Sequence, residues 1–189
     1  SNIPVIYRQY NLEVLDKHRS KAFTEVKNYI KNAKSHKKKS MGILLSGDVQ
    51  VGKATIASVI LMELIKQGYS RCDFMEFSYL MKEMYRQTKH AYNDEELDAR
   101  LHNAEFLVIN GISSEYCSYT DKSILEKNFT DILKMRITLG YPTILTTSSV
   151  DLQGHTVNLK NELREVFGSK LISLLDKYFI DIRLPDEKK

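Results

Sequence analysis

Cysteine is scarce in this 189-residue sequence, which contains only Cys72 and Cys117. With no further Cys or His at ligand spacing, two cysteines form neither a zinc site nor a secreted disulfide framework. No apolar run reaches the roughly 18 residues of a membrane-spanning helix, and no secretory signal pattern opens the sequence. We therefore expect reduced thiols in a cytoplasmic protein that binds neither a structural metal nor a membrane.

The rest of the composition is that of an ordinary globular protein, with 42% hydrophobic and 28% charged residues. A chain of this length suits one domain and can bury about 70% of its unfolded surface. The formal net charge of +4 permits contact with nucleic acid without establishing it.

Apolar periodicity alternates between strands and helices along the chain. Short apolar runs predict strands at 41–46, 72–77, 105–110, 143–147 and 178–183. Helical spacing predicts a helix from residue 20 and helices over 54–67, 78–87, 94–102, 120–139, 158–167 and 169–176. Such alternation favours right-handed crossovers and a mostly parallel sheet. We divide this α/β chain into a lead-in of 1–40, with a helix and a basic loop at 34–40, and one structural unit of 41–189.

A strand, a glycine-containing loop and a helix follow one another around GDVQVGKAT, residues 47–55. Gly47, Gly52 and Lys53 match the G-x-x-x-x-G-K frame of phosphate-binding loops, whose backbone N–H groups wrap phosphates at a helix N-terminus. In such a loop the lysine reaches the β- and γ-phosphates. The candidate nucleotide-binding residues are Gly47, Asp48, Val49, Gln50, Val51, Gly52, Lys53, Ala54 and Thr55.

Two positions of this loop depart from the frame. Ala54 stands where a Ser or Thr hydroxyl would bind Mg²⁺, and Thr55 lies about 100° further round the helix. Gln50 stands where a third glycine is frequent, and a non-glycine residue with positive φ costs about 1–3 kcal/mol. We therefore expect the loop fold, weak binding of ATP or ADP, and no tight Mg²⁺ site.

The apolar strand at 105–110 ends without an acid. Phosphoryl-transfer sites of this kind need a carboxylate there for Mg²⁺ and often a second one that orients water, but the chain has Asn110 and Gly111. Together with Ala54, three positions that serve metal-assisted hydrolysis are lost, so we predict no catalytic residue. Glu115, a few residues further on, is interpreted as a solvated loop carboxylate.

These segments together resemble the AAA+ domain of bacterial and phage helicase loaders of the DnaC/DnaI type and of the related transposition helper ATPases. The resemblance covers most of the chain, from Ile3-Pro4 with Tyr7 through MGILLSGDVQVGK, FMEFSYLMKEM, AEFLVINGI and ILKMRITLGYPTILTTS to YFIDIRL. It implies a P-loop NTPase fold of the AAA+ type: a three-layer sandwich around a mostly parallel five-stranded sheet, without a C-terminal lid domain.

The resemblance also implies roles for single residues. The loop lysine is kept, whereas Asn110 and Gly111 stand where the family has two acids. Thr147 or Ser148 stands near the polar residue that senses the γ-phosphate. Lys170 stands where an arginine would reach into the site of a neighbouring subunit, and lysine lacks the planar fork of arginine.

Four lysines, Lys34, Lys37, Lys38 and Lys39, are candidates for contacting the phosphates of single-stranded DNA, which would make binding strongly salt-dependent. The alternative for this cluster is a solvated loop.

The main functional interpretation is a binding module. It is a helicase-loader-like AAA+ domain that acts in DNA replication by contacting a replicative helicase or a helicase loader, with its ATPase cycle lost. The alternative is a helicase loader that hydrolyses ATP through unconventional residues when a partner or DNA activates it. A third alternative is a structural subunit of a homo- or hetero-oligomer, in which Lys170 faces a neighbour's site.

Overall fold

A parallel β-sheet lies at the centre of the chain in the computed structural model, which describes residues 2–13, 20–90, 94–113, 122–148 and 159–185. Its strands are β1 (Gly42–Ser46), β2 (Cys72–Glu76), β3 (Phe106–Ile112), β4 (Thr143–Thr147) and β5 (Phe179–Arg183). Their order across the sheet is β2-β3-β4-β1-β5, and every neighbouring pair is parallel. Within the described residues, the predicted five-stranded parallel sheet is confirmed.

Seven α-helices in the described part of the chain connect and cover these strands. They are α1 (Lys21–Lys31), α2 (Ala33–Lys38), α3 (Lys53–Lys66), α4 (Phe77–His90), α5 (Glu95–Asn103), α6 (Lys122–Thr138) and α7 (Leu159–Tyr178). Gly168 (φ 74°, ψ 173°) has a non-helical backbone and divides α7 into two helical segments, which correspond to the helices predicted over 158–167 and 169–176. None of the helices in these ranges is long and apolar enough to cross a membrane.

The helices cover both faces of the sheet because strand side chains alternate between the two faces. In β1, Ile43 and Leu45 belong to the apolar cluster formed with α1 and α3, whereas Leu44 belongs to the cluster formed with α4, α6 and α7. The lead-in contributes Ile3 and Phe23 to the first cluster, where both are buried. The chain is thus a three-layer α/β/α sandwich, and the lead-in shares its core.

The prediction of a basic loop at 34–40 is wrong for most of that segment, because α2 (Ala33–Lys38) is helical. Tertiary contacts explain the difference. Ala33 is buried, and the His36 ring stacks on the Tyr29 ring with 4.5 Å between centroids. These contacts anchor a helix whose sequence carries almost no apolar signal.

Two other boundaries also differ from the prediction. The helix predicted over 78–87 is longer than expected, because α4 continues to His90. Strand β3 runs two residues past its predicted end and includes Gly111 and Ile112. Asn110 therefore lies within the strand, where it pairs with Glu76 of β2.

A buried arginine holds the amino end of the sheet. Arg136 of α6 donates from Nε to Thr143 Oγ1 (2.9 Å) and from Nη1 to Leu101 O (2.6 Å). Its Nη2 donates to Ala104 O (2.9 Å) and Pro142 O (3.1 Å). Burial lowers the pKa of Arg136 to about 9, which leaves the guanidinium charged at neutral pH. The side chain therefore joins the end of α5 to the start of β4.

Candidate nucleotide-binding cleft

The candidate phosphate loop, residues 47–52, connects β1 to α3 at the carboxyl end of the sheet. Gln50 (φ 68°) and Gly52 (φ 82°) both have a left-handed backbone. Glycine adopts this conformation readily, whereas a side chain there costs about 1–2 kcal/mol. The strain expected of a non-glycine residue at position 50 is therefore present.

The loop lysine contacts the carbonyl groups of its own loop. Lys53 Nζ donates hydrogen bonds to Gly47 O (2.9 Å) and Asp48 O (2.5 Å). Partial burial lowers the pKa of Lys53, and the Asp48 carboxylate acts in the opposite direction. Two of the three ammonium N–H donors are thereby used. They hold the loop against the first turn of α3, where backbone N–H groups and the helix dipole attract anions.

A cleft of about 420 Å³ opens between this loop and the ends of β3 and β4. Small-molecule sites span roughly 300–1,000 Å³. The cleft is lined by residues 49, 50 and 52–55 of the loop and α3, by 110–113 and 146–148 of the sheet, and by Tyr7. Gly47, Asp48 and Val51 belong to the loop but are not among the lining residues. The structure thus brings together the predicted residues Lys53, Ala54, Thr55, Asn110, Gly111, Thr147 and Ser148.

Hydrogen bonds join three adjacent strands near their carboxyl ends, and of the residues involved Asn110, Gly111 and Thr146 line the cleft. Asn110 Nδ2 on β3 donates to Glu76 Oε2 on β2 (2.9 Å), and Asn110 Oδ1 accepts from Thr146 Oγ1 on β4 (2.7 Å). Thr146 Oγ1 in turn accepts from the Gly111 N–H (2.8 Å). Asn110 and Gly111, which stand in place of two acids, therefore belong to a hydrogen-bond network with Thr146 and Glu76, called here the strand-end network. Glu76 supplies the carboxylate of this network.

The two sensor-like residues differ in what their hydroxyl groups contact. Thr147 is buried, and its Oγ1 donates to Ile112 O (3.0 Å). Ser148 Oγ is also buried, but it has no hydrogen-bond partner within the described part of the chain. Because an unpaired buried hydroxyl costs free energy, a ligand in the cleft would stabilise this group by bonding to it. The sensing role itself stays a prediction.

The fold of the whole chain is shared with proteins of DNA replication. It superimposes on the DnaC helicase loader with a TM-score of 0.75 and 19% identity, covering 96% of this chain and 100% of that one. DnaI gives a TM-score of 0.67 at 21% identity, covering 97% of this chain and 95% of that one. The replication initiator DnaA, solved with AMPPCP and single-stranded DNA, gives 0.66 at 17% identity, covering 98% of this chain and 52% of that one.

The chain has the AAA+ P-loop fold. At these identities the likeness shows the fold alone. No model of a known protein family matches the sequence, and no curated protein sequence matches it. The AAA+ fold predicted from the sequence is therefore confirmed by three-dimensional similarity along nearly the full length of the chain.

Two predicted functional features, Lys170 and the lysine cluster, lie outside the cleft. Lys170 is exposed on α7, two residues after the interruption at Gly168, and its role at a subunit interface stays a prediction. The lysines of α2 lie at the amino end of the strands, because α2 leads into the amino end of β1. The phosphate loop follows the carboxyl end of β1, at the opposite end of the sheet.

The four lysines of this cluster are not equivalent. Lys34, Lys38 and Lys39 are exposed. Lys37 Nζ instead forms an ion pair with Glu105 Oε1 (2.5 Å) and lies 5.6 Å from the centre of the Tyr69 ring. If this cluster contacts DNA, the three exposed lysines would therefore make the contact.

Sequence analysis missed three residues of the cleft and its edge: Tyr7, Glu76 and Thr146. The signal that could have found two of them is positional, since ligand sites of parallel sheets gather at the carboxyl ends of the strands. Glu76 and Thr146 both lie at such ends. Glu115, the acid considered from the sequence, lies outside the described residues.

Proposed function

We propose that this chain is a helicase-loader-like AAA+ domain that acts in DNA replication by binding a replicative helicase or a helicase loader, with ATP hydrolysis lost. The observation that carries the proposal is the neutral pair Asn110 and Gly111 at the end of β3, both lining the cleft. Glycine has no group that could act as a base, and the Asn110 amide is uncharged. The shared fold with DnaC and DnaI supports a role in replication.

In this proposal ATP or ADP binds weakly, as a structural ligand or a switch. Lys53, the N-terminus of α3 and the Ser148 hydroxyl would hold phosphate groups. Ala54 offers no hydroxyl for Mg²⁺, so we do not expect tight Mg²⁺ binding. The likeness to a DnaA structure that contains AMPPCP supports nucleotide binding by this fold.

Steady-state hydrolysis tests the loss of activity. We expect turnover well below the roughly 1 s⁻¹ that marks the low end of typical enzymes, in the native chain and in Lys53→Ala. Lys66→Ala, at the exposed end of the same helix, is the matched control. An ordinary turnover rate that Lys53→Ala abolishes and Lys66→Ala leaves intact would contradict the proposal.

Partner binding is tested separately, by size-exclusion chromatography with light scattering against the replicative helicase of the same organism or its host. We expect a complex of defined stoichiometry, and free migration of both proteins at micromolar concentration would contradict the proposal. For single-stranded DNA, a triple charge reversal at Lys34, Lys38 and Lys39 should reduce salt-dependent binding. Affinity unchanged by that reversal would remove the DNA role of the cluster.

The alternative, a helicase loader activated by a partner or by DNA, is favoured by the retained loop lysine in an open cleft. Hydrolysis stimulated by helicase together with single-stranded DNA would support it. The alternative of a structural subunit predicts that the chain assembles with an intact helicase loader, which light scattering would detect. A charge reversal at Lys170 should weaken this assembly.

A further inference from the structure

The ends of four helices meet at the amino end of the sheet. Gln67 Nε2, just after α3, donates to Ile30 O near the end of α1 (3.1 Å). Ser40 Oγ, just after α2, donates to Ile137 O in the last turn of α6 (2.7 Å). Together with the residues that lead into the strands, these helix ends form a surface called here the amino-end surface. It comprises residues 30–41, 63–71, 105 and 137–142.

The amino-end surface is strongly basic. Its basic side chains are Lys31, Lys34, Lys37, Lys38, Lys39, Lys66 and Arg71, and its acidic side chains are Glu63 and Glu105. This excess of positive charge is larger than the net +4 of the whole chain. Within the described residues, ion pairs involve three of the seven cations, and the four lysines at 31, 34, 38 and 39 are all exposed. A concentration of positive charge of this kind attracts phosphate groups.

Arg71 differs from these lysines, because its guanidinium is held in place and yet remains open to solvent. Its Nη2 lies 3.4 Å from Glu105 Oε1, and its Cζ lies 5.8 Å from the centre of the Tyr141 ring. The Arg71 side chain is 53% exposed. Glu105 is itself fixed by Lys37 Nζ (2.5 Å) and by a hydrogen bond from its own N–H to Arg71 O (2.6 Å). A guanidinium fixed in this way loses little conformational entropy when its planar fork binds a phosphate.

Two tyrosine rings lie beside the cations of this surface. The Tyr141 ring neighbours Arg71, and the centre of the Tyr69 ring lies 5.6 Å from Lys37 Nζ. Both tyrosines are partly exposed, and Tyr69 also packs edge-on against Phe106, with 5.0 Å between ring centroids. Proteins bind single strands by combining cations that follow the phosphates with aromatic rings that stack on the bases. In a duplex the faces of the bases are covered, so such rings would add nothing.

We propose that the amino-end surface binds single-stranded nucleic acid, with Arg71 and the exposed lysines of residues 34–39 on the phosphates and Tyr141 stacked on a base. The inference rests on the proposed DNA contact of the lysine cluster and extends it to the residues that lead into β2 and β4. Glu105 acts as a positioning residue, because its carboxylate holds the Arg71 guanidinium beside the Tyr141 ring.

The amino-end surface is separate from the nucleotide cleft. The phosphate loop follows the carboxyl end of β1, and α2 leads into the amino end of the same strand. Strand β1 has 5 residues, which span about 17 Å at the usual rise of a strand. Nucleic acid at one end of the sheet therefore leaves the cleft at the other end open, and its binding requires neither the phosphate loop nor hydrolysis.

The test is fluorescence anisotropy of a labelled oligothymidylate titrated with the whole chain at several salt concentrations. An oligouridylate and a mixed-sequence duplex of the same length are the comparison ligands. Arg71→Gln removes the charge and Arg71→Lys keeps it, whereas Tyr141→Leu removes the ring and Tyr141→Phe keeps it. Arg183→Gln is the matched control, because Arg183 is an exposed arginine at the carboxyl end of β5. Melting curves check that each variant is folded.

The charge and the ring should have different effects on binding. Each phosphate contact contributes about 0.7 to the slope of log affinity against log salt for a single strand, so Arg71→Gln should make that slope shallower by about 0.7 and Arg71→Lys should leave it unchanged. Tyr141→Leu should weaken binding by at least about fivefold, the low end for loss of one base–aromatic stack, without changing the slope. Tyr141→Phe and Arg183→Gln should bind like the native chain, and the single strands should bind more tightly than the duplex.

Three results would overturn the inference: native affinity in both Arg71→Gln and Tyr141→Leu, an equal loss in Arg183→Gln, or tighter binding of the duplex than of either single strand. If the triple charge reversal of the lysine cluster still weakens binding in these cases, the DNA contact proposed for that cluster holds without the larger surface. No binding of any of the three ligands would refute both. A preference between the two single strands supports the inference and identifies the nucleic acid as DNA or RNA.

Discussion

Replacing Asn110 with aspartate should set two carboxylates against each other at the ends of β2 and β3. In the native chain Asn110 Nδ2 donates to Glu76 Oε2 at 2.9 Å, and Asn110 Oδ1 accepts from Thr146 Oγ1 at 2.7 Å. The substitution keeps the acceptor towards Thr146 but replaces the donor towards Glu76 with an anion. Adding Glu76→Gln removes the opposing charge and supplies an amide that can donate to the new carboxylate.

The magnitude follows from the distance and the exposure of the pair. Two like charges about 4 Å apart repel by about 1 kcal/mol in water and about 4 kcal/mol at an effective dielectric constant near 20. Because Glu76 is exposed, we take the lower figure and add about 1 kcal/mol for the lost hydrogen bond. Asn110→Asp should therefore lower the free energy of unfolding by about 2 kcal/mol.

A double-mutant cycle measured by urea unfolding at neutral pH gives the comparison. Glu76→Gln should change the free energy of unfolding by less than about 0.5 kcal/mol. The double variant should recover most of the loss, which gives a coupling of about 2 kcal/mol. In about 1 M salt the part of the Asn110→Asp destabilisation that comes from charge repulsion should become smaller, because salt screens exposed charges.

Asn28→Asp, at an exposed position of α1, is the matched control and should stay within about 0.5 kcal/mol of the native chain. An Asn110→Asp variant as stable as the native chain would refute the reasoning. So would a double variant whose loss equals the sum of the two single losses, because additivity would mean that Glu76 and Asn110 do not interact.

Three further predictions concern the loop and the sheet. Gly42→Ala should lower the free energy of unfolding by about 1–3 kcal/mol, because its Cβ would lie 2.2 Å from Thr143 O; a melting temperature equal to that of the native chain would contradict this. Gln50→Gly should raise stability by up to about 1 kcal/mol, since relief of left-handed strain exceeds the added chain entropy; a clear loss in urea unfolding would show that the Gln50 side chain stabilises the loop. The hydrogen bond from Lys37 lowers the pKa of Glu105 in the folded state. The stabilisation that this ion pair gives is therefore present above the unfolded-state pKa of Glu105 and is lost as the pH falls through its folded-state pKa. Glu105→Gln should therefore melt below the native chain at pH 7, and the difference should disappear as the pH falls below the folded pKa of Glu105. A difference in melting temperature that stays constant with pH would contradict the ionic origin.

Local patterns in the sequence were sufficient for most secondary structure. The run at 143–147 became β4 with the predicted ends, and the acidic segment before β3 became α5, capped by Asp94, whose carboxylate accepts from Leu97 N at 3.0 Å. The errors arose where tertiary contacts override propensity. Helix α2 forms in a lysine-rich segment because its few apolar atoms pack against α1, which no local spacing reveals.

For the candidate site too, some features follow from the sequence and others only from the tertiary structure. The sequence by itself determined that the phosphate-loop frame is kept at Lys53 and departs at Ala54. It also determined that Asn110 and Gly111, rather than two acids, follow the apolar run of β3. These facts follow from spacing within single elements. Only the tertiary structure decided that Glu76 and Thr146 reach Asn110. Parallel neighbours such as β3 and β4 are joined by long crossovers, so their register is set by packing of the whole sheet against its helices and not by residues adjacent in the chain.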